Sequence, residues 1–180
     1  MEPESVLRTY FHAKDENRPH LMRRVFTDDA VLRMQVKSEA IAFPAETHGL
    51  AAISEVLVSR FGQSYENVYS FYLSRPTAGD EAFTCDWLVG MSVKGSGELR
   101  VGCGRYDWTF QRSEPWLACA LDITIEQMQV LPARKSGAVF AWLTALDYPW
   151  ASAQQVLASA PAIMALSPVL QYLGRRAPHC

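Results

Sequence analysis

Asp122 stands inside the apolar run ACALDITI. A carboxyl group in such a setting must be solvated at a rim, paired with a cation, or held protonated by a raised pKa. The last state suits a general acid or base. Other residue types with reactive chemistry are scattered. Cys85, Cys103, Cys119 and Cys180 form no CxxC pair and no Cys/His cluster of metal-ligand spacing, so they are read as free core thiols and no metal is expected. His12 neighbours Phe11 on a predicted helix and His20 precedes another, which makes both exposed helix residues. His48 abuts Gly49 at a turn, where it serves as a cap. Trp87, Trp108 and Trp116 read as core or interface residues rather than a stacking platform for bases.

Secondary elements must bring such residues together. Val6, Leu7, Tyr10 and Phe11 recur at helical spacing, and Leu21, Met22, Val25 and Phe26 repeat the pattern after Asn17-Arg18-Pro19, with Asn17 as the cap of a second helix. Residues 30–36 read as a strand, and Gly49 opens a third helix carrying Leu50, Ile53, Val56, Leu57 and Phe61. From residue 68 to residue 130 the chain is aromatic and β-branched, broken by Pro76-Thr77-Ala78-Gly79-Asp80, Lys94-Gly95-Ser96-Gly97 and Arg112-Ser113-Glu114-Pro115. Breaks this short imply hairpins, hence four long strands in an antiparallel meander. Strand alternation sends Arg105 and Asp107 to the face opposite Tyr106. Beyond Pro132 the chain is Ala-rich and interrupted by Pro161 and Pro168, which predicts two or three short helices. Helices first and a meander second define an α+β class, with residues 1–132 as the main domain and residues 133–180 as a helical extension packed on it.

Length and charge narrow the functional classes. The 180 residues are 49% apolar, enough for one sizeable core. Lys plus Arg number 17 against 19 Asp plus Glu, and no basic run exceeds a pair, which disfavours a nucleic-acid partner. No charged residue lies between Asp147 and Arg175, yet Gln154, Gln155, several serines and the prolines leave that stretch too weakly apolar for a membrane span. The acidic, amphipathic start MEPESVLRTYF does not resemble a secretion signal, so a cytoplasmic location is expected.

Three segments carry a family likeness. RTYFHA…VFTDDAVLRM, THGLAAI and GRYDWTFQRSEPWLACALDI, in that order, resemble the nuclear transport factor 2-like superfamily, which includes SnoaL-like polyketide cyclases, ketosteroid isomerases and limonene epoxide hydrolases. The resemblance covers about residues 4 to 130. It implies a cone-shaped pocket between three N-terminal helices and a curved antiparallel sheet, in a homodimer, with an apolar ligand and no cofactor. Phe26, Leu32, Met34, Ile53 and Trp87 are the pocket residues expected on this basis.

Site residues carry over by position. The interval from Tyr10 to Asp28 is the one that in ketosteroid isomerases links the oxyanion-binding tyrosine to an acidic pair. Tyr106 aligns with the second oxyanion donor, an acid in those enzymes. In a dry pocket such donors stabilise a developing enolate. Asp122 falls where epoxide hydrolases carry a catalytic aspartate, and Asp86 near their other one, so the two are expected to face each other on the inner sheet face. Met34 departs from the pattern: it replaces the isomerases' proton-shuttling aspartate, and with Leu32 it makes the wall greasy and adaptable. Two functions follow as expectations. One is an isomerase or lyase acting on an apolar carbonyl compound through Tyr10, Tyr106, Asp86 and Asp122. The other is a non-catalytic ligand- or protein-binding module, with an epoxide hydrolase-like enzyme as a further alternative.

Overall fold

The computed structural model describes residues 2–176. Helix α1 (Pro3–Asp15) starts with proline in its first turn, where no amide donor is needed, and buries Val6, Leu7, Tyr10, Phe11 and Lys14 along one stripe. It ends at Asn17, which takes a left-handed φ of 51°. Asn17 therefore terminates the first helix instead of capping a second. The expected second helix is a 3₁₀ turn (Pro19–Arg24), and strand β1 (Phe26–Val36) begins earlier than the periodicity suggested. A short strand β2 (Glu46–His48) follows a long loop. Gly49, at φ 86°, turns the chain so that its amide donates to the Ala30 carbonyl at 2.8 Å before α2 (Leu50–Ser54) starts. That helix continues through a π-helical stretch (Glu55–Arg60) into α3 (Phe61–Ser64).

Strands β3 (Tyr65–Tyr72), β4 (Ala82–Val93), β5 (Leu99–Phe110) and β6 (Ala118–Leu131) form the expected antiparallel meander. Strand β1 then lies parallel to β6, giving one curved six-stranded sheet in the order β2-β1-β6-β5-β4-β3. The sheet separates two cores. Its concave face packs Cys85, Trp87, Tyr106, Trp108 and Ile123 against α1 and the helix that follows Gly49. Its convex face packs Leu88, Leu99, Val101 and Cys103 against the C-terminal helices α4 (Ser136–Thr144), α5 (Ala153–Ser159) and α6 (Ser167–Arg176). The extension thus lies behind the sheet. Fully burying an apolar side chain such as Leu143 or Val169 contributes about 1.5–3 kcal/mol, and Leu143 fits because Gly90 beneath it lacks a side chain. Trp142 Nε1 donates to the Val156 carbonyl at 3.3 Å, tying α4 to α5.

Cys85 and Cys103 are buried free thiols and Cys119 is a partly exposed one; Cys180 lies outside the described residues. Among the described residues no helix is long and apolar enough to cross a membrane, and no His/Cys/Asp/Glu cluster is suited to a metal ion.

Gly104 is the position where the concave face tolerates least. A Cβ there would sit 1.9 Å from the Thr124 carbonyl and 2.8 Å from the Trp87 ring. Gly104→Ala is expected to destabilise the protein by about 1–3 kcal/mol or more. Gly137, with open space around it in α4, provides the contrast: Gly137→Ala should stabilise by about 0.4–1 kcal/mol. Urea unfolding of both variants checks the pair of signs.

Candidate functional site

Between the concave face and its helices lies a cavity of about 50 Å³. Tyr10 and Lys14 of α1, Leu57 and Phe61 of the π-containing helix, Trp87, Val89 and Met91 of β4, and Tyr106, Ile123, Ile125 and Met128 of β5 and β6 line it. Met34 of β1 and Ile41 and Phe43 of the β1–β2 loop complete the wall. Of the pocket residues expected from sequence, Met34 and Trp87 are in place. Phe26, Leu32 and Ile53 are buried in the core without lining the cavity.

Tyr10 and Tyr106 meet there. Their rings are 6.1 Å apart, edge to face. Burial pushes both phenols well above the ordinary tyrosine pKa. They remain protonated and act as donors, not as bases. Trp87 stacks on Tyr106 with centroids 5.5 Å apart, and its buried indole N–H has no partner. Such an orphan donor beside a cavity is open to a ligand acceptor.

The two aspartates are elsewhere, which corrects their expected place on the inner face. Asp86 pairs across the sheet with Arg105, and Asp122 with Asp107 and Arg33. Directly opposed residues share a face, and this one is convex. Asp86 accepts hydrogen bonds from the Tyr172 hydroxyl at 3.0 Å and Arg176 Nε at 3.2 Å, so it anchors α6 to the sheet. Asp122, 44% exposed, lies 3.5 Å from an Arg33 guanidinium nitrogen. Strand β5 separates the two acids. His12 and His20 are exposed as expected, with His12 facing Glu16; His48 is exposed as well and pairs with Glu46 instead of capping α2, whose N-terminus has no side-chain cap.

A different ionic group occupies the wall. Lys14 Nζ donates to Asp15 Oδ1 at 2.6 Å and to Ser70 Oγ at 2.8 Å. The Ser70 hydroxyl donates in turn to Asp15 Oδ1 at 2.9 Å, and the Ser70 amide to Oδ2 at 3.0 Å. The Lys14 and Asp15 side chains are only 8% and 5% exposed. The ammonium also sits 5.5 and 5.2 Å from the Phe11 and Phe61 ring centres, within cation–π range. Burial raises the Asp15 carboxyl above its ordinary value, against the pull of Lys14 and the bonds from Ser70. An ammonium has three N–H donors; Asp15 and Ser70 take two, leaving one for a cavity ligand. The sequence held a signal for this cluster: Lys14 extends the stripe Leu7, Tyr10, Phe11 by one helical step, and a cation on an apolar stripe needs a buried partner.

No family model matches the sequence, and no curated protein matches it. Solved structures do resemble the fold. A nuclear transport factor 2-like superfamily protein from Salmonella enterica serovar Typhimurium LT2 superposes with a TM-score of 0.56 at 13% identity, over 69% of this chain and 88% of that one. The hexachlorocyclohexane dehydrochlorinase LinA-type3 from Novosphingobium barchaimii LL02 gives 0.54 at 11% identity, over 70% and 85%. A protein from Catenulispora acidiphila with a ketosteroid isomerase-like fold, in complex with trimethylamine, gives 0.52 at 18%, over 68% and 85%.

The buried ion pair makes a thermodynamic prediction. Because Asp15 binds its proton more readily in the folded than in the unfolded state, its contribution to stability falls as pH rises from the ordinary value of 3.8 through the raised one. Lys14→Met removes the cation that opposes this shift. The variant is expected to lose about 3–5 kcal/mol at neutral pH and to recover part of it on mild acidification. Lys14→Met/Asp15→Asn should show neither the full loss nor the pH slope, as measured by urea unfolding at the two pH values. Against these observations of cavity and wall, the architecture that positions them is the nuclear transport factor 2-like fold.

Proposed function

We infer that the cavity receives a small apolar molecule bearing one carbonyl oxygen and that the protein moves a proton next to that carbonyl, as a cofactor-independent isomerase or lyase. The observation that carries this reading is the convergence of Tyr10, Tyr106 and Lys14 on one apolar cavity, with Asp15 hydrogen-bonded to Lys14 behind the wall. The phenols supply hydrogen bonds to an enolate oxygen in a site where water is excluded. Transfer of the proton from Nζ to Oδ1 along the 2.6 Å bond turns two buried charges into a neutral amine and acid, which low polarity favours. The amine then takes the proton from the carbon beside the carbonyl, giving ammonium and enolate. Returning it to a more distant carbon completes an isomerisation; giving it to a leaving group completes an elimination.

The cavity volume bounds the substrate. At about 50 Å³ it is well below the roughly 300 Å³ of ordinary ligand sites, so a ligand of few heavy atoms fits, and a larger one must displace the flexible Met34, Met91 and Met128. That small volume also favours the second reading, a binding module without turnover. A homodimer, which the family resemblance implies, must use surface outside the part of the convex face that the extension covers.

Incubation with small β,γ-unsaturated ketones, followed by mass spectrometry and thermal shift, tests both readings. Tyr10→Phe is expected to lower turnover about 10²-fold and Lys14→Met about 10²–10⁴-fold, while Asp86→Asn and Asp122→Asn leave it unchanged. A ligand-induced thermal shift without product from the unmodified protein selects the binding module. Turnover that depends on Asp122 and not on Lys14 refutes the assignment.

A further inference from the structure

The Lys14–Asp15–Ser70 cluster has two sides. Lys14 lines the interior cavity, whereas Asp15, the next residue, lines a separate groove of about 440 Å³. Tyr69 and Phe71 of β3 form one wall of that groove, and Leu143, Thr144, Leu146 and Tyr148 of the C-terminal extension form the other. Hydrogen bonds join the two sides without a gap. One route runs from Lys14 Nζ directly to Asp15 Oδ1, and a second from Nζ to Ser70 Oγ and on to Oδ1. Phe11 and Phe61 lie against the ammonium, and on the groove side Phe71 is joined by the polar side chains of Glu16, Asn67 and Thr144.

We propose that Asp15 is a positioning residue that relays protons between Lys14 and solvent in the groove, and that the C-terminal extension sets the rate of that exchange by walling the groove. The proposal rests on the proton-transfer reading of the cavity and adds an exit to it. A base enclosed by apolar side chains keeps the proton it abstracts, and that proton returns to the same substrate molecule. With the relay, Asp15 first gives the proton it already holds to water in the groove, the abstracted proton follows from Nζ to the vacated Oδ1 and leaves in its turn, and a solvent proton returns through Oδ1 to Nζ along the same bonds. Charge and atoms balance, because one proton leaves for each that enters.

The test uses the full chain in D₂O with 4-penten-2-one as probe, a six-heavy-atom β,γ-unsaturated ketone whose isomerisation places a hydrogen on the terminal carbon. Deuterium in the product methyl group, counted per turnover by NMR, separates exchange with solvent from internal return. The expected result is extensive deuterium from the unmodified protein and several-fold less from Asp15→Asn. Thr144→Trp, which fills the groove without touching the cluster, should reduce the deuterium fraction in the same direction. Equal deuterium fractions in the unmodified protein and Thr144→Trp overturn the relay even if Asp15→Asn fails to fold. If the unmodified protein converts no probe, the proton-transfer reading fails for this ketone, and solvent exchange of the ¹⁵N-labelled Lys14 ammonium decides the relay on its own. Exchange slowed by Thr144→Trp sustains the connection, and exchange indifferent to it removes the connection.

Discussion

Alternation along β4, β5 and β6 governs most of what this chain can do, because each successive side chain must choose between the concave and convex faces of one curved sheet. Trp87, Val89 and Met91 turn inward, and Asp86, Leu88 and Gly90 turn outward. On the inward side the result is a cavity rimmed by aromatic rings and methionines. On the outward side it is a docking surface for the C-terminal helices, with Asp86 as an anchor for α6. A register slip of one residue would exchange the two sets.

The same alternation is interrupted once with consequence. Opposite the Cys103/Gly104 step, β6 carries an extra residue between the paired positions Ile125 and Gln127. Such a bulge changes which side chains point inward, and here it places Met128 in the cavity. Opposite it, Gly102 and Gly104 lack side chains where any Cβ would collide with Met128 or with the β6 backbone. The cavity is therefore shaped as much by two missing side chains as by the residues that line it.

An ion pair in this wall is costly to bury, and nothing about folding alone requires one there. Desolvation can outweigh the attraction between such charges, and a well-packed apolar pair of similar volume is often no less stable. Lys14, Asp15 and Ser70 satisfy one another with four hydrogen bonds, which offsets the cost without explaining why the charges are present. The proton-transfer role proposed above accounts for them, since a lysine and an acid joined in an apolar setting can exist in ionic and neutral forms of comparable energy.

Much of the architecture was legible in the residues themselves: α1 from its 3.6-residue stripe, the β3–β6 meander from its turn signals, and the Gly49 entry into α2. These depend on local periodicity and on backbone preferences that a sequence displays directly. What only the tertiary structure decided depends on contacts between distant segments. The parallel pairing of β1 with β6, the Ile41 and Phe43 loop over the cavity, and the packing of α4–α6 behind the sheet are all of this kind. So is the outward direction of Asp86 and Asp122: an acid in an apolar run reads alike whether it faces a dry pocket or a convex surface with an arginine near it. The Lys14 cluster is of this kind too, because its partners are a chain neighbour and a serine 56 residues away. Spacing along the chain reveals which side chains share a face of one element, but the face that becomes an interior is chosen only when the elements close on one another.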